Sequence, residues 1–211
     1  MYLPPVFKQE DLAVLHDGIR QSGLATLVTL GPDGMEASHV PMLLDPDPAP
    51  LGTLHGHIAR SNPQWQRGPG DVHALAIFLG ADAYVSPAWY ATKQETGKVV
   101  PTWNYVAIHV YGPVRFFDDA ERLHALVTRL TQKHEAPRPA PWAVSDAPED
   151  YIRGQLGKIV GFEVPIARIE GKWKMSQNRP VADRAGVVEG LVRERGPADA
   201  VARIVSAVNR D

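Results

Sequence analysis

The sequence predicts a mainly β fold with peripheral helices, an antiparallel barrel of the α+β class, on three observations. Strand-like runs follow one another through the first half of the chain. Helix-like runs lie between the later strands and at the end, without the regular strand–helix alternation of a parallel, doubly wound sheet. No glycine-rich dinucleotide fingerprint or Walker loop is present, so a nucleotide-like ligand has to be held in another way.

Leu12, Leu15, His16 and Ile19 follow helical spacing and predict an amphipathic helix over 9–21, ended by Gly23. Residues 24–30 are strand formers, and a second strand is expected from Met35 to Leu44. Between them, Gly31-Pro32-Asp33-Gly34 has Pro where a turn wants a fixed φ and Gly where it wants a positive one. The 45–50 stretch alternates with prolines that lack an N–H, so it is read as a loop. Further strands are expected over 52–58, 72–79, 83–85 and 105–117, with a long connection over 86–102.

Leu123, Leu126, Val127 and Leu130 mark a helix over 119–135, and Pro137, Pro139 and Pro141 end it. Ser145 or Asp146 suits the cap of a helix running to about Val160, before a last strand over 162–169. Two more helices follow, one carrying Val187, Val188, Leu191 and Val192 and stopping at Gly196, the other starting near Pro197. The expected organisation is one domain over 1–211 with a helical segment from about 180.

The chain has 211 residues, 44% hydrophobic and 22% charged, an ordinary globular composition. With no cysteine, disulfides, thiolate catalysis and Cys-ligated metals are excluded. No run reaches the 18 apolar residues of a membrane span, and no secretory signal is visible at the start, so a cytoplasmic protein is expected. A net charge of −2 gives no global electrostatic case for nucleic-acid binding; a local or oligomeric basic patch stays open.

Three stretches carry chemistry. In 54–65 a strand ends in Arg60, Ser61 and Asn62 with several backbone amides, a donor set that suits a phosphate monoester and equally a polar strand end starting a turn at Asn62-Pro63. Tyr84, Trp89, Tyr90, Trp103 and Tyr105 offer flat faces with polar tips, useful beside a planar ring or as staples for the 86–102 loop. The run from Gly171 to Pro180, just after the expected final strand, sets three cations and three amide or hydroxyl groups around Trp173. It suits a phosphate or a ring edge, and also a solvated basic turn.

His39, His55 and His57 lack the Glu or Cys of a familiar zinc motif, and no metal site is assigned. No Gly-x-Ser-x-Gly elbow surrounds any serine, and no catalytic residue is named. The terminal helices could form a helix-turn-helix with Arg184, Arg193, Arg195, Arg203 and Arg210 toward DNA. Glu189, Glu194, Asp199 and Asp211 dilute that charge and favour a pair packed on the barrel.

Several of these segments together resemble the PaiB-type family of FMN-binding negative transcriptional regulators. The collinear matches are Met1-Tyr2-Leu3-Pro4-Pro5, Ala25 to Thr29, Ser38-His39-Val40-Pro41, Gly56 to Trp65, Ala83 to Pro87, Lys98 to Tyr105 and Gly171 to Pro180. The resemblance implies an FMN-binding split β-barrel related to the pyridoxamine-phosphate oxidases, with FMN at a homodimer interface. It implies His39 and Val40 beside the isoalloxazine ring, His57, Arg60, Ser61 and Asn62 around the phosphate, and Trp103, Asn104, Lys174 and Gln177 from the partner subunit. Tyr84, Ser86, Lys98 and Thr102 are further candidates. Those oxidases carry Arg and Lys in the hairpin strand, whereas this chain has His39 and no cation from 35 to 44. The phosphate charge then falls to Arg60 or to the Lys172–Lys174 stretch.

The function implied is negative transcriptional regulation, through DNA directly or through a partner. The alternatives are a flavin-dependent oxidoreductase on the same scaffold and a haem-binding split barrel with one of the three histidines as ligand.

Overall fold

The computed structural model describes residues 1–31, 34–47, 50–66 and 72–208. Among the described residues nine strands run in chain order: β1 (Lys8–Gln9), β2 (Ala25–Gly31), β3 (Gly34–Val40), β4 (Met42–Asp45), β5 (Thr53–Ala59), β6 (Val72–Val85), β7 (Thr102–Phe117), β8 (Ile159–Pro165) and β9 (Arg168–Lys174). Among the same residues six α-helices accompany them: α1 (Leu12–Gln21), α2 (Ala91–Thr96), α3 (Ala120–Glu135), α4 (Glu149–Leu156), α5 (Val181–Arg195) and α6 (Ala200–Ala207). The strand order is β3-β2-β6-β7-β8-β5-β4, with β9 beside β1 and β7. All registers defined for the described residues are antiparallel, as the strand-after-strand sequence order predicts.

Two compact units divide the chain. The first comprises Met1–Leu15, Leu79–Ile108 and Glu170–Asp211, and the second His16–Phe78 and His109–Ile169. In the second unit, β2 and β3 form the expected hairpin, in register from Ala25↔Val40 to Gly31↔Gly34. The turn residues Pro32 and Asp33 lie outside the described residues, as do Pro48 and Ala49 of the proline loop. The strand expected over 35–44 is two strands, broken at Pro41, which has no N–H for a ladder. After the break, β4 pairs with β5 instead of β2 and extends to Asp45. Leu43, Leu126 and Leu130 form a small core between β4 and α3.

In the first unit, the ends of β6 and β7 carry Ala83, Val85 and Val106 into one core with Met175 and the helix residues Val187, Leu191, Val201, Ala202 and Val205. This is the packed helix pair, not an exposed DNA reader. Arg195 is held by the Asp82 carbonyl and the Asp199 carboxylate, and Arg210 and Asp211 lie outside the described residues. Gly196, at φ +91, turns the chain between α5 and α6 as expected.

Further boundaries differ from the sequence reading, among them the start of β7 at Thr102 where 105 was expected. The 72–79 and 83–85 strands are one strand through Gly80, where an added Cβ would stand 2.9 Å from Val106 Cβ. The helix expected from 9 starts at Leu12, capped by Asp11, because Lys8 and Gln9 pair with β9. The 86–102 connection contains α2, closed by Gly97 at φ +68. The helix expected to reach Val160 ends at Leu156, and β8 begins at Ile159. The expected last strand over 162–169 is β8 followed by β9, so Lys172, Trp173 and Lys174 sit in a strand rather than in a turn.

Candidate functional site

Six of the expected contact residues fall in the second unit and four in the first. In the second unit the hairpin supplies His39 and Val40. His39 is exposed and its Nδ1 hydrogen-bonds Thr26 Oγ1 across the hairpin at 3.0 Å, while Val40 is buried. The strand period puts neighbouring residues on opposite faces, so Ser38 turns the other way from His39.

Ser38 joins a buried polar chain. Asn62 Nδ2 donates to Ser38 Oγ (2.8 Å), Ser38 Oγ donates to Gln64 Oε1 (2.6 Å), and Gln64 Nε2 donates to Thr29 Oγ1 (2.9 Å). Asn62 Oδ1 accepts from the Gln64 N–H (2.9 Å) and caps the short 3-10 turn Pro63–Trp65. Gln64, 1% exposed, is the centre of this chain. Neither Ser38 nor Gln64 was among the expected contacts. The run Asn62-Pro63-Gln64 signals the capped turn, but the partner on β3 is 26 residues away.

The other residues at the end of β5 do not gather around one point. Arg60 donates from Nε to the Gly157 carbonyl (2.9 Å), from Nη2 to the Ile159 carbonyl (3.2 Å) and from Nη1 to Asp118 Oδ2 (3.4 Å). Three of the five N–H groups of a guanidinium are thereby engaged. Ser61 is exposed. His57 shares a strand face with His55 and lines a cavity of about 270 Å3 with Val127, Trp142, Val144 and Ile152. The polar end of β5 thus points its side chains in three directions: toward α3 and α4, toward the α4–β8 connection, and toward the hairpin.

His57 Nδ1 is buried and has no hydrogen-bond partner. Burial pushes the His57 pKa below the ordinary 6.5, and burial also outweighs the Asp45 carboxylate in lowering that of His55. The folded state therefore binds fewer protons than the unfolded chain just below pH 6.5, so stability holds above that value and falls as pH drops through it. Thermal melts from about pH 7.5 to 5 are expected to show this loss, and His57→Gln to reduce it while the His55 part remains. An unchanged slope in that variant would remove His57 as the cause.

In the first unit, Trp103 is 53% exposed and meets Tyr84 edge to face, with centroids 6.1 Å apart. Asn104, fully buried, exchanges hydrogen bonds with Ser176 at 3.0 and 3.2 Å. Lys174 Nζ donates to Thr102 Oγ1 and to the Trp103 carbonyl. Burial first, then Lys172 and Arg179, holds its pKa below the ordinary 10.5. Gln177 serves the backbone: Oε1 accepts from the Met175 N–H and Nε2 donates to the Trp173 carbonyl. Beside Asn104 and Lys174 lie Tyr90 and Arg179, which the sequence reading did not single out as contacts. Their signals, an aromatic in the 86–102 connection and the third cation of the Gly171 to Pro180 run, were visible in the sequence.

Residues 1–168 match the family described as "Putative FMN-binding domain". The chain is 30% identical to the protease synthase and sporulation protein PAI 2 of Bacillus subtilis, over 93% of this chain and 92% of that one. The chain belongs to the PaiB-type FMN-binding family. An uncharacterised protein of Aspergillus fumigatus is similar too, at 37% identity over 90% of each chain. Among solved structures, a conserved hypothetical protein of Mycobacterium tuberculosis superposes with a TM-score of 0.59 at 13% identity, covering 85% of this chain and 94% of the other. The fold of this PaiB-type chain is accordingly the split β-barrel with helices, and its cofactor is FMN.

The residues present fit that cofactor. FMN presents a planar ring and a dianionic phosphate monoester. The first unit offers exposed aromatic faces and a buried, carboxylate-free donor set that includes the unpartnered Tyr90 hydroxyl. When bound, FMN supplies electron-transfer chemistry that no protein side chain provides. No helix among the described residues is long and apolar enough to cross a membrane.

Proposed function

We propose that this chain is an FMN-holding negative regulator of transcription that works as a homodimer in the cytoplasm. The observation that carries the reading is the FMN-binding family match, joined by a relative over nearly the whole chain that is named protease synthase and sporulation protein PAI 2. The contact residues belong to the proposal: His39 and Val40 toward the ring, with His57, Arg60 and Ser61, and Trp103, Asn104 and Lys174. Asn62 and Gln177 act by holding their turns in place.

Homodimer formation is part of the same proposal, and the exposed Tyr84–Trp103 pair of the first unit, in contact edge to face, is an apolar surface that a second copy would cover. A cysteine-free chain suits the cytoplasm. With a net charge of −2, any DNA contact is local, and its phosphate contacts make it salt-dependent.

The test is selection from a pool of genomic DNA fragments by the FMN-loaded dimer, with the flavin oxidised and reduced. Enriched fragments are expected to lose affinity by about tenfold or more when salt rises about fourfold. No enrichment in either flavin state, together with turnover of a reduced nicotinamide, would replace the regulator by an oxidoreductase.

A further inference from the structure

In the second unit a groove of about 720 Å3 runs between α3, α4 and the Val144–Asp146 turn, within the roughly 300–1,000 Å3 of small-molecule sites. α3 buries Leu123, Leu126 and Leu130 and turns Ala120, Glu121, His124 and Ala125 to the groove. α4 lines it with Glu149, Ile152, Arg153 and Leu156, the i, i+3, i+4, i+7 spacing of a single helical face. No residue of α4 is fully buried, so its apolar stripe lacks the cover that such a stripe normally finds. Past Val144, Ile152 and Leu156 the same floor continues into the chamber of about 270 Å3 beside Trp142, which is 46% exposed.

The two ends differ in charge. Glu121 and Glu149 stand in the first turns of α3 and α4. The helix dipoles favour a carboxylate at each place, but they do not account for both lining one groove. Arg153 Nη2 donates to Glu149 Oε1 at 2.6 Å, whereas Glu121 forms no ion pair among the described residues. The neighbouring Arg122 is drawn away to Glu163 and lies 3.9 Å over the Phe117 ring. Asp119 and Asp146 are occupied as caps, accepting from the Arg122 and Ala143 N–H groups. Two carboxylates against one guanidinium leave the groove negative, with His124 the remaining titratable group in its wall. The far chamber has the other sign: among the described residues its lining holds Lys158 and His57 and no carboxylate.

An apolar floor between a carboxylate end and a lysine end suits a ligand with an apolar body and one cationic head. We propose that the α3–α4 groove binds a lipophilic amine, with its ammonium between Glu121 and Glu149 and its apolar tail over Val144, Ile152 and Leu156 toward Trp142. None of these residues is among the proposed flavin contacts, and the proposal does not rest on the flavin reading.

The test uses three probes of one shape: 4-phenylbutylamine, 4-phenylbutan-1-ol and 4-phenylbutyrate. Each is titrated into the wild-type chain at low salt and about pH 8, above the ordinary imidazole range, and followed by backbone amide chemical shifts. The amine is expected to bind about fivefold more tightly than the alcohol, and the acid more weakly than either. The shifts are expected within residues 120–159, and the preference for the amine to fade at about 0.5 M salt. Glu121→Gln is expected to cut that preference to about twofold or less while the alcohol binds as before. Ala125→Trp, which fills the groove from α3, is expected to weaken amine and alcohol alike by about fivefold or more. Equal affinity for the three probes overturns the proposal, as does a preference that survives in Glu121→Gln. So do an amine that excess FMN displaces and a folded wild type that binds no amine.

Discussion

Gly112→Ala is expected to lower the thermal midpoint by about 6–12 °C, a cost of about 3 kcal/mol in a chain of this length. Gly112 lies in β7, and an added Cβ would stand 2.1 Å from the Pro165 carbonyl oxygen and 3.1 Å from Val164 Cγ1. The first of these is backbone, so no rotamer change relieves the overlap. Either β8 withdraws or β7 loses its register with it, which runs from Arg115↔Glu163 to Phe117↔Gly161. The same substitution at Gly154 has the opposite sign. That glycine lies in α4 with nothing within 4 Å of the new Cβ, and alanine there is expected to gain about 0.5–1 kcal/mol in helix propensity. Differential scanning calorimetry of the two variants checks the contrast. Equal shifts would show that the contact at Pro165 is not the cause.

Gln64→Leu is the second large effect. Leucine keeps the volume but removes the acceptor of Ser38 and the donor to Thr29, and Thr29 is almost fully buried. An orphaned buried hydroxyl costs about 1–3 kcal/mol, and Ser38 then loses its fixed place between Asn62 and the hairpin. The expected loss is about 3 kcal/mol, read as a midpoint lower by about 6–12 °C. Because the chain ties the Pro63–Trp65 turn to the hairpin, FMN affinity is expected to weaken as well, although Gln64 is buried away from solvent. Asn62→Ala, which cuts the same chain at its more exposed end, is expected to fall between Gln64→Leu and the wild type. A Gln64→Leu protein with unchanged stability would show that the hydrogen bonds to Ser38 and Thr29 contribute nothing net.

Local chemistry made the hairpin, α3 and the Gly196 turn legible in the sequence. Each depends on residues a few positions apart. The β3–β4 break was also written locally, in Pro41, but the apolar run on both sides masked it. What stayed hidden was set by distant partners. Residues 171–174 look like a polar, cationic turn, and only their pairing with β1 and β7 makes them a strand. Gly186 and Gly190 read as weak points of α5, whereas they admit Trp89, whose carbonyl oxygen and ring would meet their added Cβ atoms at 2.0 and 2.3 Å. For the candidate site, the residue types were readable and their directions were not. Arg60 finds its carbonyls almost 100 residues later, and Asn104 finds Ser176 72 residues later.

The most direct measurement of the central claim is titration of the purified, cofactor-stripped wild-type chain with FMN, followed by flavin fluorescence and by the visible spectrum of the isolated complex. Saturation at one FMN per chain, with a bound-flavin spectrum that survives gel filtration, is the predicted result. A folded chain that leaves FMN fluorescence untouched and emerges colourless would contradict the account.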